Sequence, residues 1–221
     1  MDNKYSKVLT IALIVIIVGI VITLGYVGYR VLTEKKTEEN YTNAANEFEN
    51  AVLGGSSGKA TGGNSVLNAI NSSGNTSSKK YMEDYEIIGT IEIPKTGLKC
   101  AVLSETTPRS LEIAVTVIYP AGTKLNVPGQ NVVIYGHNYR NKLFFSKNND
   151  LENGDKIYLL DQEGNKVTYE VFDKFETTST DTSFYPAVAE EIGNKCEVTL
   201  STCTDDASTT ERRIIVRARE I

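Results

Sequence analysis

The sequence has few histidine and cysteine side chains, the common ligands of zinc. Its 221 residues include one histidine and three cysteines, and no group of them has the spacing of a zinc site. No glycine-rich phosphate loop is present, and the net charge of −5 at pH 7 argues against nucleic acid as the main partner. The sequence therefore predicts no metal site, no cofactor and no nucleic acid partner, while any dependence on calcium stays open at this point.

The cysteines are also too few for a disulfide framework, and their odd number leaves one thiol over. Cys196 and Cys203 lie on opposite faces of one predicted strand, because side chains alternate along a strand. Cys196 points with Val198 and Leu200 and is predicted to lie in the core. Cys203 ends the more polar face. Whether Cys100 pairs with Cys196 stays open at this point.

Three side chains predict a cysteine-centred acyl transfer. Cys203 is the candidate nucleophile, since a reactive thiol needs solvent access and nearby positive charge. Arg213 begins the charged face of the last predicted strand, with Arg212 as the fallback, and a guanidinium can hold a carbonyl or stabilise an oxyanion. His137, the single histidine, follows a buried strand and can move protons near neutral pH. Taken singly, the histidine is more typical of a structural residue and the arginines of a solvated sheet face.

These residues occur in segments that resemble the sortases, the cysteine transpeptidases of Gram-positive bacterial surfaces. The signature Thr-Leu-x-Thr-Cys matches at residues 199–203, and residues 131–138 resemble the strand and loop that hold the family's histidine. Residues 213–218 resemble the strand that begins with its essential arginine, and residues 89–94 resemble its opening strand. The resemblance spans residues 85–221 and leaves the subclass open, as class B or as a class D or E type.

The resemblance implies an all-β fold, a closed or nearly closed β-barrel of about eight strands with short helices. The sequence agrees, since short apolar or alternating runs are separated by turn residues and no parallel α/β alternation occurs. Short helices are expected at residues 108–117 and 185–192. The predicted strands are residues 87–93, 99–103, 132–135, 156–160, 167–172, 196–200 and 214–218.

The resemblance also implies a reaction. Cys203 would form a thioester with an LPxTG-like sorting signal, His137 would protonate the departing amine, and Arg213 would hold the carbonyl. An amine of a peptidoglycan precursor would then take the acyl group. Ser201 and Thr202 are candidates for shaping the peptide groove, although the parity of Thr202 equally fits a strand residue that packs inward.

Two other functions stay open. A membrane-anchored cysteine hydrolase of papain type would use the same thiol and imidazole, but with an Asn or Asp to orient the histidine. A non-enzymatic surface binding module would leave Cys203 inert.

The first part of the chain predicts a membrane anchor. Residues 8–29 form an uncharged run of 22 residues, which spans about 33 Å as a helix, close to the roughly 30 Å of a bilayer's hydrocarbon core. The run is too long for a signal-peptide core and no small-residue cleavage site follows it. Basic residues flank both ends, so they do not determine the orientation. The resemblance implies a single-pass cell membrane protein with an extracytoplasmic catalytic domain.

We therefore expect three parts: a cytoplasmic N-terminus with the anchor at residues 1–32, a tether at 33–84 and the catalytic barrel at 85–221. The glycine- and serine-rich stretches 54–58 and 71–78 have the composition of flexible linkers.

A short amphipathic helix is expected within the tether. Its apolar residues would contact the membrane or the barrel domain, with a solvated stalk as the alternative. The residues at helical spacing are Tyr41, Ala44, Ala45, Phe48 and Val52.

Overall fold

The structure, a computed structural model, forms two compact units, Met1–Glu39 and Asn40–Ile221. It describes residues 2–54, 79–186, 193–206 and 208–221. The helices and strands, in chain order, are α1 (Asp2–Leu53), β1 (Lys80–Met82), β2 (Tyr85–Ile93), β3 (Leu98–Leu103), α2 (Pro108–Ile113), β4 (Val115–Tyr119), β5 (Asn131–Tyr135), a 3-10 turn (Asn148–Asp150), β6 (Lys156–Asp161), β7 (Lys166–Thr178), β8 (Glu197–Cys203) and β9 (Arg212–Glu220).

Eight of the nine described strands close into a barrel. They are ordered β2, β3, β4, β5, β8, β9, β7 and β6, and β6 pairs back with β2. Gly89 lies in this closing pair, where a Cβ atom would come within 2.3 Å of the Leu160 carbonyl oxygen, so glycine permits the close approach. The remaining strand, β1, pairs with the start of β2. The predicted closed barrel is confirmed.

The expected helix at residues 108–117 is shorter in the structure. It begins at a capping box in which Thr107 and Ser110 accept each other's backbone N–H, with Pro108 in the first turn. It ends at Ile113, and β4 follows, because a run of β-branched residues from Val115 fits an extended strand better than a helix. The second expected helix, at residues 185–192, lies largely outside the described residues.

The barrel has a core inside and a smaller apolar cluster outside. Alternate residues of β5 and β8, such as Val132, Ile134 and Leu200, point into the interior core. The outer cluster is formed by Val133 of β5, Ile215 of β9 and Phe184, with Tyr135 of β5 and Phe175 of β7 packed against it. Residues on the outer face are therefore buried by a segment before β8.

Helix α1 is one continuous helix, longer than the predicted anchor. Among the described residues it is the one helix long and apolar enough to cross a membrane, with a mean hydropathy of 3.0 over its most apolar window. Such a span was the N-terminal element expected of this fold. The proposed boundaries at residues 32 and 84 stay predictions, and the linker stretch 55–78 lies outside the described residues.

The end of α1, residues 40–53, packs on the barrel. The residues at helical spacing, Tyr41, Ala44, Ala45 and Phe48, are buried. Glu49 pairs with Lys99 of β3 at 2.7 Å and accepts a hydrogen bond from Thr90 of β2. Of the alternatives for the amphipathic segment, the structure has the one in which it contacts the barrel domain.

Candidate active site

Strand register brings the three candidate residues to one end of the barrel. β5 and β8 run parallel with Tyr135 beside Ser201, and the Gly136 N–H donates to the Ser201 carbonyl at 3.3 Å. His137 follows Tyr135 by two residues, as Cys203 follows Ser201, and the next residue, Asn138, donates to the Cys203 carbonyl at 2.9 Å. β8 and β9 run antiparallel with Cys203 directly opposite Arg213, and Cα atoms so paired are about 4.5–5.5 Å apart. Thiol, imidazole and guanidinium therefore stand at the ends of three adjacent strands.

The environments of the three thiols differ. Cys100 and Cys196 are free and buried, and burial raises their thiol pKa to about 12 and about 11. Cys196 lies in the interior core, as its parity predicts. Cys203 is also free but only half-buried at the strand end. Because the thiolate is the nucleophile, Cys203 is the one thiol with both access and a neighbouring cation.

Arg213 has a guanidinium held by backbone oxygens. Its Nη1 donates to the carbonyls of Thr210 and Arg212, and within the described residues it has no carboxylate partner. Arg212, by contrast, pairs with Glu176 at 2.7 Å. The geometry supports Arg213 over Arg212, because its positive charge is not neutralised by an acid and it stands opposite Cys203.

His137 is half-buried under an aromatic neighbour. Its ring centroid lies 4.8 Å from that of Tyr139. Burial lowers the pKa of the imidazole, and the charge of Glu112 on α2 partly offsets that effect. In the part of the chain that the structure describes, no side chain hydrogen-bonds to the ring, so the Asn or Asp of a papain-type triad has no counterpart there.

A side-chain network joins the histidine loop to the residues after Cys203. Asn138 donates through Nδ2 to the Cys203 carbonyl and to Asp205, both at 2.9 Å. Arg140 donates to the Asp205 carbonyl, and Asn149 donates to the Asp205 carboxylate. The sequence analysis did not single out Asn138. The sequence did contain one signal for Asn138, its position directly after His137, because an amide buried there needs hydrogen-bond partners.

Ser201 and Thr202 are both buried, at 1% and 2% exposure. Thr202 donates to the Gly136 carbonyl at 2.8 Å, which ties β8 to the residue before His137. The Ser201 hydroxyl has no hydrogen-bond partner among the described residues. Any contribution of Thr202 to substrate binding would therefore act through the shape of the groove.

A polar clamp holds the segment that covers the outer cluster. Asn131 of β5 donates to the carbonyls of Phe184 and Tyr185, each at 3.0 Å, and accepts from Thr199. The hydroxyls of Tyr135 and Tyr185 are 2.9 Å apart. This segment lies against the outer face of the barrel, the face that also includes Cys203 at the end of β8. No three His, Cys, Asp or Glu side chains of the described residues are grouped so as to hold a metal ion.

Comparisons with known proteins show the family and the fold. A family model described as "Sortase domain" matches residues 91–221. Sortase A of Bacillus anthracis is 32% identical over 136 residues, which cover 61% of this chain and 60% of that protein. The chain thus spans less than two thirds of that relative's length.

Among solved structures, sortase A of Corynebacterium diphtheriae in a lid mutant form is similar, with a TM-score of 0.54 and 27% identity over 61% of this chain and 70% of that chain. A Clostridium perfringens sortase D5 transpeptidase has a TM-score of 0.51 and 25% identity over 61% of this chain and 79% of its own. Sortase C-1 of Actinomyces oris, 24% identical with a TM-score of 0.54 over 61% of this chain and 73% of its own, shares the fold.

Proposed function

The chain belongs to the sortase family, whose members are cysteine transpeptidases that anchor proteins to the cell wall, and on that basis we propose that it cleaves a sorting-signal peptide through a thioester on Cys203 and transfers the acyl group to an amine. The observations that support this proposal are the strand register that sets Cys203 directly opposite Arg213, and the hydrogen bond from Asn138, next to His137, to the Cys203 carbonyl.

The first half-reaction forms the acyl-enzyme. The Cys203 thiolate attacks the carbonyl carbon of the scissile peptide bond, a C–S bond forms, and the carbonyl oxygen takes the negative charge. Arg213 donates hydrogen bonds to that oxyanion. His137, as imidazolium, protonates the amide nitrogen as the C–N bond breaks, so the leaving group departs as a neutral amine.

The second half-reaction reverses these roles. An incoming amine attacks the thioester, and His137, now neutral, takes a proton from its nitrogen. The C–S bond breaks, the thiolate is regenerated, and the product with its new amide bond is released. Partial burial of His137 favours its neutral form, which suits it as a base in this step.

The substrate and the location that we propose are those typical of the family. We take the peptide to be an LPxTG-like sorting signal cut between Thr and Gly, and the amine to belong to a peptidoglycan precursor. Helix α1 would anchor the protein in the cell membrane by a single span, with the catalytic domain outside the cytoplasm. In this arrangement the barrel meets both a translocated substrate protein and the wall precursor.

Product analysis tests the proposal. The full chain in detergent micelles is incubated with an LPxTG-type peptide, with and without triglycine, and the products are identified by mass. We expect cleavage after Thr and, with triglycine, a ligated product in place of the free acid. Hydrolysis that triglycine does not divert would instead favour a cysteine hydrolase. An intact peptide together with a Cys203 that no thiol-directed electrophile labels would favour the binding module.

A further inference from the structure

A row of aromatic rings leads from helix α1 to His137. The ring of Tyr41 lies 5.2 Å from that of Phe144, Phe144 lies 5.9 Å from Tyr139, and Tyr139 lies 4.8 Å from His137. Tyr41 belongs to the α1 segment 40–53 that packs on the barrel, and the other three rings belong to the loop after β5. We call these four residues the aromatic row.

The loop is held in a backbone conformation that it would not adopt alone. Phe144 has a φ of 49°, in the left-handed region that a bulky side chain rarely enters. Such a conformation persists only where the surrounding packing determines it. Phe144 is 2% exposed, and Tyr41, itself 2% exposed, packs against it. The helix segment therefore supplies part of the packing that keeps Phe144 in place.

Hydrogen bonds within the loop link Phe144 to His137. Asn138 and Phe144 form an isolated β-bridge, and the Phe145 N–H donates to the His137 carbonyl at 3.1 Å. The Tyr139 N–H donates to the Ser146 hydroxyl at 2.9 Å. A shift of Phe144 would thus move both ends of the loop and release the Tyr139 ring that covers His137.

We propose that the α1 segment 40–53 positions the catalytic histidine, with Tyr41 as the positioning residue that acts through Phe144 and Tyr139. This inference rests on the proposed function, because it takes His137 to act in turnover. The segment follows the candidate membrane span in the chain. The part of the protein next to the anchor therefore helps to hold His137 in its catalytic position. Without the Tyr41 ring against Phe144, the barrel is expected to turn over slowly.

Kinetics of the full chain in micelles test this role. Tyr41→Ala is expected to lower kcat by tenfold to about a hundredfold, the cost of a small misplacement of a catalytic group, with KM changed less than about threefold. Tyr41→Phe keeps the ring and is expected to have a kcat well above that of Tyr41→Ala. Phe48→Ala is the matched control, because Phe48 is an equally buried aromatic of the same segment and has no ring contact with Phe144 among the described residues. Its kcat is expected to stay within about twofold.

The single histidine provides a second readout that does not need activity. With 13C-labelled histidine, the full chain gives one imidazole Cε1–H signal. The titratable and charged groups around His137 are Glu112 of α2, Tyr139 of its own loop, and Cys203 and Arg213 at the neighbouring strand ends. Tyr41→Ala is expected to shift this signal and raise the titration midpoint toward the ordinary value of about 6.5, since burial is what lowers it. Phe48→Ala should leave both unchanged.

The outcomes separate the two proposals. A wild type that shows no transpeptidation overturns the proposed function, while the histidine signal still reports on the positioning by Tyr41. A Tyr41→Ala variant with unchanged kcat and an unchanged signal overturns the positioning role, and so do equal changes in Tyr41→Ala and Phe48→Ala. If Tyr41→Ala fails to fold, Tyr41→Leu, which keeps apolar volume without the ring, is measured by the same two readouts and decides in the same way.

Discussion

At the residue scale, the two neighbouring arginines of β9 differ in their hydrogen-bond and ion-pair partners. Arg213 has backbone partners and no acid among the described residues, whereas its neighbour Arg212 pairs with Glu176. Parity along β9 was enough to favour Arg213, since alternate residues face opposite sides. The partners of each guanidinium depend on other strands and could not be predicted from the local sequence.

Replacing each arginine by lysine tests this difference. Arg213→Lys is expected to lower kcat/KM by about a hundredfold or more, since a point charge does not reproduce the donor fork that holds an oxyanion. Arg212→Lys, which alters an exposed ion pair, should change it less than about threefold. Steady-state peptide cleavage measures both variants. The reverse ranking would contradict the assigned register of β9.

The protonation of His137 gives a second test at this scale. Burial lowers the pKa of the imidazole and the Glu112 charge raises it, so Glu112→Gln should lower the pKa further. Glu83→Gln is the matched control, because Glu83 and Glu112 both pair with Arg109. NMR titration of the single imidazole measures the midpoint. A wild-type midpoint at or above about 6.5, or a rise in Glu112→Gln, would contradict this account.

At the scale of elements, the site is made by the way β5 ends. Gly136 separates the strand from His137, and a Cβ there would lie 2.8 Å from the Phe145 ring and 2.9 Å from Val115. The loop can fold back over the strand only because this position has no side chain. The sequence predicted a buried strand followed by a loop, but the contact of Phe145 with Gly136 is tertiary and could not be predicted from the strand pattern.

Gly136→Ala tests the tightness of this turn. The added methyl group must displace Phe145 or Val115, and overpacking of this kind costs about 1–3 kcal/mol of unfolding free energy. Thermal unfolding of the full chain should show a lower Tm. Gly28→Ala is the control, since a Cβ at Gly28 in α1 meets nothing within 4 Å. A Tm for Gly136→Ala equal to that of the control would contradict the close approach.

The network at Asn138 joins two elements and has its own test. Asn138→Ala removes the donor to the Cys203 carbonyl and to Asp205, and is expected to lower kcat/KM by about tenfold or more through misplacement of the two loops. Asn149→Ala removes another donor to Asp205 but leaves the Cys203 carbonyl bonded. Peptide cleavage by Asn149→Ala should stay close to the wild type, and equal losses in the two variants would argue against a specific role of Asn138.

Helix α1 shows what an element-scale prediction can miss. The uncharged run of residues 8–29 predicted a span, and the spacing of Tyr41, Ala44, Ala45 and Phe48 predicted an amphipathic helix. That both belong to one helix, and that the second part packs on the barrel, depends on partners far along the chain, such as Lys99 and Phe144. Local periodicity contains no information about those partners.

At the scale of the molecule, the all-β class agreed with alternating runs separated by turns, whereas the barrel was expected from the resemblance. Strand β4 was assigned in part to a helix, because Pro108 and the residues after it fit a helix start and its β-branched run follows without a turn signal. The ring closure between β2 and β6, and the parallel pairing of β5 with β8, depend on long-range contacts. The resemblance implied a closed barrel with the catalytic groups at strand ends, but it did not specify these two pairings.

The central claim is that Cys203 forms a covalent acyl-enzyme in a site shared with His137 and Arg213. Intact-mass measurement of the full chain mixed with an LPxTG-type peptide, quenched in acid, tests it most directly. We expect the wild type to gain the mass of the peptide acyl fragment, to lose it again when triglycine is added, and Cys203→Ala to gain nothing. An adduct that forms equally in Cys203→Ala, or that triglycine does not release, would contradict the account.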